Sequence, residues 1–96
     1  MANVYILYSE KLQRYYIGST ELSSNERLVR HNSKYYDDKF TARGIPWTLY
    51  FFISCKNRTQ ASSIEAHIKK MKSETYILNL KQYPEMAEKL LARYDF

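Results

Sequence analysis

Asn3-Val4-Tyr5-Ile6-Leu7-Tyr8-Ser9-Glu10-Lys11-Leu12-Gln13-Arg14-Tyr15-Tyr16-Ile17-Gly18 is the stretch on which the fold turns. Asn3–Tyr8 and Arg14–Ser19 are rich in aromatic and β-branched residues, and the polar Ser9–Gln13 separates them. The pattern predicts two short antiparallel strands joined by a turn. Tyrosine recurs at Tyr5, Tyr8, Tyr15 and Tyr16. Side chains alternate faces along a strand, so Tyr5 shares a face with Asn3 and Leu7, and Tyr16 shares one with Gly18. A two-residue turn puts the Tyr5 and Tyr16 faces on the same side, whereas a three-residue loop without a bulge separates them. No Asn-Gly or Asp-Gly is present to choose between these registers.

The rest of the chain bounds what this hairpin can belong to. Its 96 residues make one domain, with no room for separate catalytic and recognition modules. Only two glycines and two prolines stand against disorder, and a 45% apolar content supports a modest core. The single cysteine, Cys55, excludes an internal disulfide and fits a reducing compartment. It lies beside the apolar run Leu49–Ser54 and reads as a small core side chain. There is no leader-like N-terminus and no apolar run long enough to span a bilayer, so a cytoplasmic protein is expected.

The net charge is +5, and its excess sits in the middle of the chain. Residues 33–60 carry five basic and two acidic side chains, against four and three before them and six and five after. That clustering points to a polyanionic partner. Ser33–Pro46 is polar, basic and aromatic without a clear period. Lys34, Lys39 and Arg43, interleaved with Tyr35, Tyr36 and Phe40, suit a phosphate backbone with some stacking. The same composition also suits a solvated loop tacked to the core by its aromatics.

Ser23 and Glu26 have capping-box spacing, which predicts a short helix from about Ser24 to His31, buried through Leu28 and also Val29. Arg27 and His31 share a face of it, with Arg30 close by. Trp47–Ser54 reads as a third strand, central and covered on both faces. Asn57–Lys72 is the clearest helix. Asn57 can cap it, with Gln60 three residues on, and Ala61, Ile64, Ile68 and Met71 form one apolar stripe. Glu65 borders that stripe, where a carboxylate needs compensation. Lys69, four residues on, is one compensator and a metal ion is another. His67 and the lysines 69, 70 and 72 fall on the wet side. In the tail, Ser73, Tyr76, Ile77 and Leu80, then Pro84, Met86, Leu90 and Leu91, predict two short helices.

No phosphate-binding glycine loop, CxxC, HExxH or GxSxG is present, and the acidic residues are scattered rather than paired. What remains is the tyrosine hairpin, an arginine on the next helix and a half-buried glutamate on the long one. Asn3-Val4-Tyr5, Tyr16-Ile17-Gly18, Arg27-Leu28-Val29-Arg30-His31-Asn32, Lys39-Phe40-Thr41, Pro46-Trp47 and Glu65 with Ile68-Lys69 occur in that order. Together they resemble the GIY-YIG endonuclease domain over residues 3–73. The resemblance is to its small stand-alone bacterial members, similar in turn to the N-terminal nuclease domain of the excinuclease subunit that incises damaged DNA. Asn3 stands where that motif has its first glycine.

The resemblance implies an α+β fold of order β-β-α-β-α-α, with a small three-stranded antiparallel sheet flanked by three to four helices. It implies a metal-dependent endonuclease cutting DNA, nicking or structure-dependent, with weak sequence preference. Glu65 would hold one Mg²⁺ or Mn²⁺, Arg27 would brace the scissile phosphate, Tyr5 would act as general base, and Tyr16 would orient water or phosphate. His31 would assist in positioning. Lys34, Lys39, Arg43, Arg30 and Lys69 would carry the nucleic-acid backbone. A monomer or weak homodimer is expected. A non-catalytic nucleic-acid-binding module on the same fold is the alternative, and a protein-interaction domain is a third reading.

Overall fold

The computed structural model describes residues 2–21, 24–32 and 43–95. The hairpin forms as two strands, β1 (Ala2–Ser9) and β2 (Arg14–Thr20). The loop between them has four residues, not two, because Ser9 pairs with Arg14. Gln13 closes it in the left-handed region, with φ 52°. An even count keeps the parity of a two-residue turn, so odd residues of β1 share a face with even residues of β2. Ser9 stabilises the turn from within. Its Oγ accepts from the Leu12 N–H at 3.1 Å and donates to the Gly44 carbonyl at 2.7 Å.

The third strand, β3 (Trp47–Cys55), pairs antiparallel with β1, giving the order β2-β1-β3. The expectation that Trp47–Ser54 is the central strand is therefore overturned. β1 is central, and its Val4, Tyr5, Ile6 and Leu7 are all essentially buried. β3 is an outer strand that exposes Thr48, Phe52 and Ser54. Its unbroken apolar character reflects a bulge rather than burial on both faces. The register shifts between Ile6 and Leu7, leaving Tyr50 as the extra residue. Tyr50 and Phe51 both pack on one face, and every β3 residue before the bulge changes side. Trp47 and Leu49 thereby join the face of Tyr5.

Four helices flank the sheet among the described residues. These are α1 (Ser24–Asn32), α2 (Arg58–Met71), α3 (Glu74–Gln82) and α4 (Pro84–Arg93). Two cores result, one on each face. Val4, Ile6, Ile53 and Cys55 pack against Ala61, Ile64 and Ile68 of α2 and against Ile77, Leu80 and Leu90. On the other face Tyr5, Leu7 and Trp47 pack with Tyr16, Leu28 of α1, Ile45 and Leu49. Burial raises the Cys55 thiol pKa, in keeping with a core side chain.

Local signals set the helix ends. The Asn57 side chain caps α2 by accepting from the Gln60 N–H at 2.8 Å, and Ser73 caps α3 by accepting from Tyr76. Pro84 opens α4. Gln60 is itself buried. It accepts from the Lys56 N–H and donates to the Leu91 carbonyl, tying α2 to the tail. It replaces Met71 in the apolar stripe. Met71, the last residue of α2 before its Lys72 cap, is 45% exposed. Val29 is 65% exposed, so α1 is buried through Leu28 alone of that pair. The Ser23 half of the expected capping box lies outside the described residues.

Asn32, the last residue of α1, latches that helix to the start of β3. Its side chain donates to the Trp47 carbonyl at 2.9 Å and accepts from the Trp47 N–H. Asn32→Ala removes both bonds at once. The expected cost is about 1–3 kcal/mol, read as a lowered midpoint in urea with an unchanged m-value.

Candidate functional site: the tyrosine face and the edge of the sheet

Tyr5 pairs with Gly18, and Tyr16 with Leu7. The two tyrosines therefore project from the same face, with ring centroids 6.4 Å apart. Tyr8 and Tyr15 pair on the opposite face at 4.9 Å, where Tyr15 also meets Tyr50 edge-on at 5.2 Å. The four tyrosines thus divide into two sets. Burial, followed by the neighbouring Tyr50 and Tyr8, raises the Tyr15 phenol pKa above its ordinary value, which unsuits it as a base. Tyr8 and Tyr15 are packing residues. Tyr16 is half-buried and meets Trp47 edge-on at 6.1 Å. Tyr5 is 0% exposed.

Gly18 explains how Tyr5 reaches the edge of the sheet. A Cβ on Gly18 would stand 2.5 Å from Tyr5 Cζ and closer still to the hydroxyl oxygen. The Tyr5 ring therefore lies across Gly18, with its hydroxyl directed over β2, an outer strand. Gly44 serves Trp47 in the same way, since a Cβ there would stand 2.7 Å from Trp47 Cε2. Asn3 lies in regular β1 at negative φ, so the backbone there makes no demand for glycine.

α1 covers the tyrosine face. It carries the backbone of Arg27 and His31 beside Leu28, which packs against the Tyr5 cluster. The side chains of Arg27 and His31, and all of Lys34 and Lys39, lie outside the described residues. Arg30 is half-buried and Arg43 exposed.

Glu65 comes from the opposite layer. α2 packs beneath the sheet and runs back along β2. Its start is marked by Arg58, 3.9 Å from Glu21 just past the end of β2. Its last turns, with Ile68, Lys69 and Lys72, line a cavity with Arg14, Tyr15 and Ile17. Glu65 lies on α2 between these two contacts, along the length of β2. Tyr5 and Glu65 thus approach one outer strand from its two faces. The Glu65 side chain is 21% exposed, and its Oε2 accepts from Lys69 Nζ at 2.6 Å. Its other oxygen has no hydrogen-bond partner among the described residues. This donor set fits a hard divalent cation, which needs one carboxylate oxygen and takes its remaining ligands from water and phosphate. Among the described residues, no three His, Cys, Asp or Glu side chains cluster.

A model of the GIY-YIG catalytic domain matches residues 1–82. The chain belongs to the GIY-YIG family. The match takes in the hairpin, α1, β3, α2 and α3, and leaves α4 beyond it. Neither the curated proteins nor the solved structures yield a match. The GIY-YIG superfamily is one of nucleases, so a nucleic-acid substrate follows at the level of the family. No helix among the described residues is long and apolar enough to cross a membrane.

Sequence reasoning missed two parts of this GIY-YIG domain. Asn32 acts as the latch between α1 and β3, and its signal was the polar amide just before the change from helix to loop composition. His67 does not lie on the wet side. It is half-buried beneath the tail, with Nδ1 2.9 Å from the Tyr94 hydroxyl. Burial, then Arg93 and Lys70, lower its pKa below the ordinary histidine value. Nothing local in the sequence could bring Tyr94 to it.

Proposed function

We propose that this chain is an endonuclease that hydrolyses phosphodiester bonds in DNA with one Mg²⁺ or Mn²⁺ at Glu65. The observation that carries the reading is the convergence on β2. The Tyr5 phenol lies across Gly18 on one face, and α2, which carries Glu65, runs along β2 on the other. The bound ion would supply charge stabilisation at the leaving oxygen. Arg27, on the helix that covers the tyrosine face, braces the scissile phosphate as a fixed cation. Tyr5 is the general base of this reading, and the step requires its hydroxyl, buried in this structure, to come into contact with the attacking water. Such a role requires a phenol held well below its free pKa of about 10 by neighbouring positive charge. Tyr16 lies beside it and orients the water or phosphate by hydrogen bonding, and His31 assists in positioning. Arg30, Lys34, Lys39, Arg43 and Lys69 hold the flanking backbone. On this reading sequence preference is weak and the product is a nick.

The test is cleavage of supercoiled plasmid by the purified protein in Mg²⁺ or Mn²⁺. Conversion to the open circle is expected, with complete loss in EDTA and recovery when metal is restored. Tyr5→Phe is expected to slow the reaction about a hundredfold or more, and Tyr16→Phe by less. Plasmid that stays supercoiled in every metal while remaining bound would establish a non-catalytic binding module instead.

A further inference from the structure

On the flank of α2 away from Glu65 lies a cavity of about 650 Å³. At 3.6 residues per turn, Glu65, Lys69 and Lys72 fall on one side of the apolar stripe and Ser63, His67 and Lys70 on the other. α2 contributes Ala66, His67, Lys70 and Met71 to the cavity, and the end of α4 contributes Arg93 and Tyr94. The walls are ordered by contacts of their own. The His67 and Tyr94 rings meet edge-on at 5.7 Å, and the Arg93 guanidinium lies over the Tyr94 ring at 5.6 Å. An adjoining cavity of about 220 Å³ shares His67 and Arg93 and adds Lys89.

No carboxylate of the described residues lines either cavity. Among the described residues neither Lys70 nor Arg93 is in an ion pair. Cations gathered in a concave site without a counter-charge attract an anion. The neighbouring aromatic and thioether surface of Tyr94 and Met71 suits a planar ring. The volume falls in the range of small-ligand sites. A phosphate joined to a flat heteroaromatic ring satisfies both halves.

We propose that the cavity between α2 and α4 binds one nucleotide, with its phosphate on Lys70 and Arg93 and its base against Tyr94 and Met71. The nucleotide belongs to the substrate strand, which rests on the nuclease reading above. The exposed, small Ser62 and Ala66 lie between the two flanks of α2, so a strand leaving Glu65 can cross the helix closely there. A free nucleotide is the other source of the same chemistry.

The test is binding in EDTA, where no cleavage occurs. A short fluorescein-labelled single-stranded oligonucleotide is titrated by anisotropy at several salt concentrations, and adenosine monophosphate is titrated by calorimetry. Lys70→Gln/Arg93→Gln is expected to weaken oligonucleotide binding about tenfold and to flatten its salt slope by about 0.7, the value for one phosphate no longer neutralised on a single strand. The charge-matched Lys11→Gln/Arg58→Gln is expected to weaken it less than about threefold. Equal weakening by the two pairs would overturn the proposal, leaving only diffuse charge. Loss of monophosphate binding in the first pair alone, with the oligonucleotide unaffected, would assign the site to a free nucleotide and overturn the strand path. Melting temperatures close to that of the parent protein confirm folding. A chain that cuts nothing, yet depends on Lys70 and Arg93 for binding, sinks the nuclease reading and keeps this site. The reverse result sinks only the site.

Discussion

Glu65→Ala is expected to lower metal-dependent cleavage at least about a hundredfold while changing folding stability by no more than about 0.5 kcal/mol. The asymmetry follows from its surroundings. For stability Glu65 offers one i,i+4 pair with Lys69, whose own side chain is more than half exposed. Such a pair contributes only about 0.2–0.5 kcal/mol, and alanine is the better helix former. For chemistry, on the reading proposed above, it offers the carboxylate that would hold the metal. Lys69→Ala separates the two roles. A carboxylate that served only the ion pair would make both substitutions equally mild. One that holds a metal leaves Lys69→Ala cutting, with weaker DNA retention, and Glu65→Ala inert. The measurements are plasmid nicking and urea unfolding on the same preparations. Equal nicking by Glu65→Ala and the parent protein would remove Glu65 from the site.

Gly18→Ala should do the opposite and damage both properties together. The added methyl would overlap the Tyr5 hydroxyl and Cζ, and it meets a ring that cannot retreat. Tyr5 is fully buried in the central strand, between Gly18 on one side and Phe52 on the other. Overpacking of this kind costs about 1–3 kcal/mol. Any relief comes from moving the Tyr5 hydroxyl, so activity falls beyond what unfolding explains. Tyr5→Phe does not relieve the clash, because Cζ remains. Tyr5→Leu does, so Gly18→Ala should destabilise a Tyr5→Leu background by much less than the parent. Additive destabilisation in that cycle would mean that the ring and the glycine are not in contact.

The contrast between these two positions shows where the sequence was legible. Element type depends on neighbours along the chain, and it could be read. β1 and β2 extend the expected strands by a residue or two, and Asn57, Ser73 and Pro84 open their helices where capping chemistry places them. The same local reading placed Glu65 at the border of a buried stripe. Exposure depends on what lies above a residue, and there the reading went astray. Val29 and Met71 are apolar and exposed, while His67 is polar and covered by the tail. Strand order misled for a related reason. An apolar run looks the same whether a strand is central or bulged, and β3 is bulged at the edge.

The sequence by itself determined the alternation of β1 and β2, and with it the pairing of Tyr5 with Asn3 and Leu7 on one face and Tyr16 with Gly18 on one face. Whether those two faces coincide was a question of parity that no residue in the hairpin answered. The tertiary structure decided it through a four-residue loop closed by Gln13 at positive φ, and a bulge at Tyr50 then brought Trp47 to the same side. Alternation is a property of bonded neighbours. Register is settled only when both faces of the sheet are buried at once, by α1 and Trp47 above and by α2 below.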